Sequence, residues 1–167
     1  TDIAKNIGSI NTLYRDKGEI IGTNTDFLGT LRALGTEISQ LKGKKVLLLG
    51  AGGASRAIAF GLGMVQAETW VWNRTFSRAQ QLADAFKITP LQTLETLERE
   101  KIDIVINATS VGLKSWESPL SKDFWQTSHT AMDIVYDPLE TRFLSEANAA
   151  GAQTITGDKM LVYQALE

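Results

Sequence analysis

The run Val46-Leu47-Leu48-Leu49 passes straight into Gly50-Ala51-Gly52-Gly53-Ala54-Ser55-Arg56-Ala57, and no other feature restricts the fold of this chain so strongly. Apolar residues that do not alternate with polar ones form a strand buried on both faces. Glycines then break the extended chain, and residues 54–64 have the composition of a helix packed by Ile58, Phe60 and Leu62. Strand, glycine turn and helix in that order open a parallel sheet with right-handed crossovers. The alternation continues with a strand over 69–72, a helix over 77–86 and a β-branched strand over 102–106 whose one polar residue is Asp103. Residues 130–135 read as another strand, 139–149 as a helix and 153–155 as a short strand. Gly157 precedes a last helix that begins near Asp158. A weaker strand around Ile88 and Leu91 contains Pro90, which suits an edge or a loop start.

Residues 1–23 fit that alternation poorly. Residues 10–14 and 19–21 read as short strands around the turn Asp16-Lys17-Gly18. Asn24, Thr25 or Asp26 then caps a helix that contains Phe27, Leu28, Leu31, Leu34 and Ile38. The expectation is an α/β fold, a Rossmann-like doubly wound, mostly parallel sheet over 24–167, with a short N-terminal β appendage over 1–23. A hairpin with so little apolar material cannot bury a core alone.

Composition excludes several function classes. With 17 Lys and Arg against 19 Asp and Glu, the net charge of −2 gives no general attraction for nucleic acid or an anionic membrane. The absence of cysteine excludes disulfides, thiolate catalysis and thiolate-ligated zinc. A single histidine argues against a dedicated metal site, so none is expected. No stretch approaches the ~20 apolar residues needed to cross a bilayer, and no leader pattern opens the sequence, which together set a cytoplasmic expectation.

The glycine turn has the makings of a phosphate site. Gly50 permits a tight turn, Gly52 lets the backbone approach a pyrophosphate, and Gly53 and Ala54 begin the helix whose amides face it. Ser55 stands where the last glycine of such a pattern is usual, and no Gly-Lys-Ser/Thr follows, which disfavours a P-loop. The competing reading is a glycine turn with a structural role only. After the second strand, where an NAD site presents a carboxylate to the ribose, the chain has Asn73-Arg74-Thr75 and then Arg78. Arginines there suit the 2′-phosphate of NADP, unless they are solvated surface charges. Asn107-Ala108-Thr109-Ser110 ends the 102–106 strand and either orients a nicotinamide ribose or caps the next segment. Val111, Gly112 and Leu113 lead into an irregular stretch in which Trp116 and Trp125 read as packing anchors. His129 reads as structural or exposed, and Met132 as part of a packed strand.

Taken together, the motifs resemble the C-terminal, cofactor-binding part of the shikimate dehydrogenase family. The similar segments are Gly8-Ser9-Ile10-Asn11-Thr12, Gly22-Thr23-Asn24-Thr25-Asp26, the glycine turn, Asn73-Arg74-Thr75 and Asn107-Ala108-Thr109-Ser110. Tyr136-Asp137-Pro138-Leu139-Glu140-Thr141 and Gly157-Asp158-Lys159-Met160-Leu161-Val162-Tyr163-Gln164 complete the set. The resemblance implies reversible, NADP-linked oxidoreduction between shikimate and 3-dehydroshikimate, with quinate as a near alternative substrate. It implies that Asn11, Asp26 and Gln164 meet substrate hydroxyls and that Tyr136 lines the substrate–nicotinamide junction. Gly157 and Met160 shape the nicotinamide pocket, and Thr109, Ser110 and Val135 border it. The family pairs the aspartate represented by Asp26 with a catalytic lysine from an N-terminal substrate domain. Lys5 and Lys17 lack the motif context of that lysine. A regulatory dinucleotide-binding module and a scaffold without ligand are the other function classes left open. Self-association, through the strand edges of residues 1–23, is left open too.

Overall fold

A computed structural model describes residues 1–35 and 38–167. The chain begins with helix α1, Asp2–Ile7, followed by the strands β1, Thr12–Asp16, and β2, Glu19–Thr23. Helix α2 spans Asp26–Leu34, β3 Lys45–Leu49, α3 Gly53–Met64, β4 Glu68–Trp72, α4 Phe76–Phe86 and β5 Thr89–Leu91. Strand β6 covers Ile104–Asn107, β7 Thr130–Asp133, helix α5 Arg142–Ala149, β8 Gln153–Ile155 and α6 Gly157–Ala165. The main sheet is parallel, in the order β5-β4-β3-β6-β7-β8, and β1 and β2 form a separate antiparallel pair. This is the expected doubly wound α/β architecture with its N-terminal β appendage. The order reverses direction between β3 and β6, so a crevice opens at their carboxyl ends.

The run at 46–49 explains why both faces of the sheet are covered. Successive strand residues point to opposite faces. Val46 and Leu48 pack with Ile58, Leu62, Leu82 and Met160 on one side, while Leu47 and Leu49 pack with Phe143, Leu144 and Trp125 on the other. Trp125 meets the Phe143 ring edge-on at 4.8 Å. His129, 1% exposed, has a structural place: its ring nitrogens are bonded to the Gln126 amide and the Arg99 carbonyl. Trp116 is 60% exposed and anchors no core, contrary to expectation.

Several boundaries move for identifiable reasons. The sequence reading missed α1, which Thr1 caps by accepting from the Ala4 amide and Gly8 ends in the left-handed conformation. The first hairpin strand lies two residues later than expected, and the second starts at Glu19 as expected but runs on to Thr23, because Lys17 and Gly18 both take positive φ and centre the turn on themselves. Helix α2 stops at Leu34, before Ile38, and the adjoining residues 36 and 37 lie outside the described residues. Asp103 is not in β6: its carboxylate accepts from the Lys45 amide at 2.8 Å and from Lys44 Nζ at 3.2 Å, ahead of the strand. Strand β7 ends at Asp133 rather than 135, where that buried carboxylate turns the chain by accepting from the Val135 amide. Helix α5 starts at Arg142 rather than 139 because Thr141 caps it, accepting from the Leu144 amide. Among the described residues no helix is long and apolar enough to cross a membrane, and no metal-binding cluster of acidic or histidine side chains occurs.

Candidate functional site

The glycine turn sits at the point where the sheet order reverses. Gly50 has φ 105°, and a Cβ there would lie 2.8 Å from the Ala108 carbonyl oxygen, so the β3 turn and the β6 loop can touch only through glycine. Gly52 faces open space: a Cβ built on it would meet nothing within 4 Å. Gly52 is also the N-cap of α3, and no side chain caps that helix. Its first-turn amides therefore point, unpaired by any cap, at the position where the backbone has room for a ligand. Ser55 is fully buried, and its hydroxyl accepts from the Gly52 amide, so the residue in the usual glycine position tightens the turn.

Asn73 holds the next turn by donating from Nδ2 to the Thr75 carbonyl at 2.9 Å, and Thr75 caps α4 without a side-chain bond. Arg74 and Arg78 flank this turn, both exposed. Among the described residues neither makes an ion pair or side-chain hydrogen bond, so both guanidinium groups remain available. At the end of β6 the Thr109 hydroxyl donates to Asn107 Oδ1 at 2.7 Å and accepts from the Val111 amide, giving a local cap. Ser110 is exposed beside it.

A second polar group assembles from three distant parts of the chain. Asn11, just before β1, places Nδ2 2.7 Å from Asp26 Oδ1, 3.2 Å from Gln164 Oε1 and 3.1 Å from Thr25 Oγ1. The Asn11 carbonyl oxygen of the side chain accepts from the Thr25 amide, while Asn24 Oδ1 accepts from the Asp26 amide. Burial raises the Asp26 pKa above the ordinary aspartate value, opposed by the Asn11 hydrogen bond. Gly29 permits the assembly. A Cβ there would lie 2.8 Å from the Met160 carbonyl oxygen and 2.9 Å from Gln164 Cβ, so α2 and α6 approach backbone to backbone.

The two groups face one cleft, about 180 Å³, lined by Asp26, Ala54, Ile134, Tyr136, Gly157, Met160, Leu161 and Gln164. Tyr136 stands half-exposed at its mouth, and Met160 is buried with its sulfur 3.4 Å from the Thr30 hydroxyl. Gly157 begins α6 against the backbone of 134–135; a Cβ there would come within 2.7 Å of the Ile134 carbonyl oxygen. Val135 is buried, and its amide donates to Asp133. Lys5 pairs with the nearby Asp2 and Lys17 sits in the hairpin turn, so neither is bonded to Asp26.

Sequence reasoning missed the buried group behind this cleft. Asp133, fully buried, accepts from Asn107 Nδ2 at 3.0 Å, Thr141 Oγ1 at 2.7 Å and the Val135 amide at 3.0 Å. Burial raises its pKa, against those three hydrogen bonds. The available signal was the acidic residue in the apolar stretch 130–135, a position that in a central strand requires partners.

A family model described as "Shikimate / quinate 5-dehydrogenase" matches residues 33–131. The shikimate dehydrogenase (NADP(+)) of Thermococcus kodakarensis is 44% identical over 168 residues, covering 96% of this chain and 59% of that protein. The crystal structure of shikimate dehydrogenase from Aquifex aeolicus superposes with a TM-score of 0.91 at 38% identity, over 98% of this chain and 61% of that one. The Thermus thermophilus enzyme, solved in complex with NADP(H) and shikimate, gives 0.88 at 44% identity, over 98% and 62%. The chain thus spans about three-fifths of the length of the relatives it matches. With the family model across more than half of its residues and close superposition on solved members, this chain belongs to the shikimate/quinate 5-dehydrogenase family.

Proposed function

We propose that this polypeptide is the dinucleotide-binding part of an NADP-dependent shikimate dehydrogenase, which interconverts shikimate and 3-dehydroshikimate. The observation that carries the reading is the shared cleft: Asp26 and Gln164 of the polar group and Ala54, at the start of α3, line the same space. A polyol held by the polar group meets a nicotinamide held beside Ala54.

The residues present fit the cofactor. Gly52 leaves the space that a pyrophosphate fills, the uncapped start of α3 offers amides to its charge, and Arg74 and Arg78 carry positive charge with no carboxylate partner among the described residues. When bound, NADP supplies the acceptor for the hydride leaving the substrate's hydroxyl-bearing carbon. Asn73 fixes the turn that presents Arg74 and Arg78 to the 2′-phosphate. Thr109, Ser110, Val135, Gly157 and Met160 bound the space for the nicotinamide and its ribose. Asp26 accepts a hydrogen bond from a substrate hydroxyl, and Asn11 and Gln164 give a donor and an acceptor to its neighbours. Tyr136 closes the mouth. The proton released at the reacting hydroxyl passes to the lysine that the family pairs with Asp26, contributed from a substrate domain.

The test is NADPH formation by the polypeptide expressed with its complete coding sequence, offered shikimate or quinate with NADP or NAD. Shikimate with NADP gives the highest kcat/KM on this reading. Preference for quinate with NAD would replace the assignment by that of a quinate dehydrogenase.

A further inference from the structure

Arg56 is the fourth residue of α3 and reaches the N-terminal appendage. Its Nε donates to the Ile7 carbonyl oxygen at 2.6 Å, and its guanidinium lies 5.3 Å from the centre of the Phe86 ring. Among the described residues it has no carboxylate partner. A half-buried cation is thus held by a helix C-terminal carbonyl and an aromatic face, both of which favour positive charge.

The contact continues, bond by bond, into the polar group. Gly8, with φ 69°, leaves room for the guanidinium: a Cβ there would lie 2.6 Å from Arg56 Nη2. Ser9 follows, with Oγ 3.0 Å from a Cβ built on Gly53, so the appendage rests on the first turn of α3. The Ser9 carbonyl accepts from Asn24 Nδ2 at 3.2 Å, and Asn24 Oδ1 accepts from the Asp26 amide at 3.0 Å. Asn11 lies two residues beyond Ser9 and bonds Asp26 directly.

We propose that Arg56 is a positioning residue, whose bond to the Ile7 carbonyl sets the distance between the dinucleotide turn and the Asn11–Asp26–Gln164 group. The proposal rests on the dehydrogenase reading above, in which hydride transfer requires that distance to be fixed. A charge-assisted bond to a backbone oxygen is suited to this work, because it fixes the position of the α1 end whatever side chains α1 carries. Arg56 itself is not among the residues that line the cleft.

The test compares Arg56→Met and Arg56→Lys with the parent in the complete polypeptide, after a thermal melt has established that each folds. Arg56→Met keeps much of the apolar stem and removes the charge and the donor. We expect its kcat to fall, and its KM for shikimate to rise, by about tenfold, the loss of one hydrogen bond to a charged group. The NADP dissociation constant stays within about twofold on the same scale. Arg56→Lys, which keeps the cation, recovers part of the loss. Hydrogen exchange reads the same contact without substrate: in Arg56→Met the amides of 8–12 and 24–26 exchange faster while those of β3 and β6 keep their protection. Parent-like shikimate kinetics, or a loss shared equally by NADP binding, overturns the proposal. If the parent is inert toward shikimate, the dehydrogenase reading fails. The exchange comparison then decides the Arg56 contact by itself, and unaltered exchange at 8–12 overturns it. Should Arg56→Met not fold, Gly8→Ala, which crowds the same guanidinium, must reproduce the selective rise in shikimate KM or the proposal falls.

Discussion

On the proposed function, single residues divide the candidate site into a cofactor side and a substrate side. Arg74 is exposed and forms no ion pair among the described residues, so its removal disturbs no packing and reports on ligand contact alone. Arg74→Ala should weaken NADP binding by on the order of 2 kcal/mol and leave NAD binding nearly unchanged, since only NADP carries the 2′-phosphate. Titrating both cofactors into both proteins measures this, and equal weakening would remove the phosphate assignment. Asp26 behaves in the opposite way. Burial raises its folded pKa, so the folded state binds a proton more tightly than the unfolded one. Stability from this group is therefore full below the ordinary aspartate range and is lost as pH rises through the raised folded value. Asp26→Asn should flatten that part of the stability–pH curve and melt higher at neutral pH, while shikimate oxidation by the complete polypeptide falls by orders of magnitude at unchanged NADP affinity. Urea unfolding between mildly acidic and neutral pH checks the first point and steady-state kinetics the second. A variant with the parent's slope and turnover would show that Asp26 neither strains the fold nor serves the substrate.

At the scale of elements, the proposed substrate side depends on how closely two helices approach. Gly29 of α2 lies where a Cβ would overlap the Met160 carbonyl and Gln164 Cβ, so Gly29→Ala must push α6 outward. Overpacking of this kind costs about 1–3 kcal/mol, and it also withdraws Gln164 from Asn11. The expected result is a lower melting temperature together with a raised KM for shikimate, whereas Arg74-dependent NADP affinity persists because α4 lies elsewhere on the sheet. A melting temperature equal to the parent's would mean that the helices can separate without cost. Asp133 organises the opposite wall by joining the ends of β6 and β7 to the start of α5, and this fixes the backbone against which Gly157 begins α6.

For the molecule as a whole, the parallel sheet and the helices on its two faces contain the glycine turn, Arg74 and Arg78, with no contribution needed from elsewhere. These 167 residues should therefore fold cooperatively and bind NADP. They should produce little or no NADPH from shikimate, because among the described residues no lysine pairs with Asp26. Matched assays of this chain and of the complete polypeptide decide the matter; comparable turnover would require another proton-transfer group within the 167 positions. The appendage leaves Leu13, Tyr14 and Ile20 exposed on a two-stranded sheet, and Ile10 exposed just ahead of it. Such edges and apolar side chains favour pairing with further polypeptide.

The sequence by itself determined the sheet, the crossovers and the dinucleotide turn, because each is encoded within a few neighbouring residues. The 46–49 run dictates burial on two faces, the following glycines dictate a turn, and Arg74 after the second strand dictates charge beside it. Element ends were less legible. Asp103, Asp133 and Thr141 move the ends of β6, β7 and α5 through hydrogen bonds with partners that local pattern does not show. The motifs of residues 11, 26 and 164 suggested a common polar group only through family resemblance, and only the tertiary structure brought them together, across 15 and 153 positions of chain. The reason is physical: contact between α2 and α6 depends on a missing Cβ at Gly29, and the seat of the appendage depends on one guanidinium reaching a carbonyl 49 residues away. Neither has a periodicity or a local propensity, so both exist only once the chain has folded.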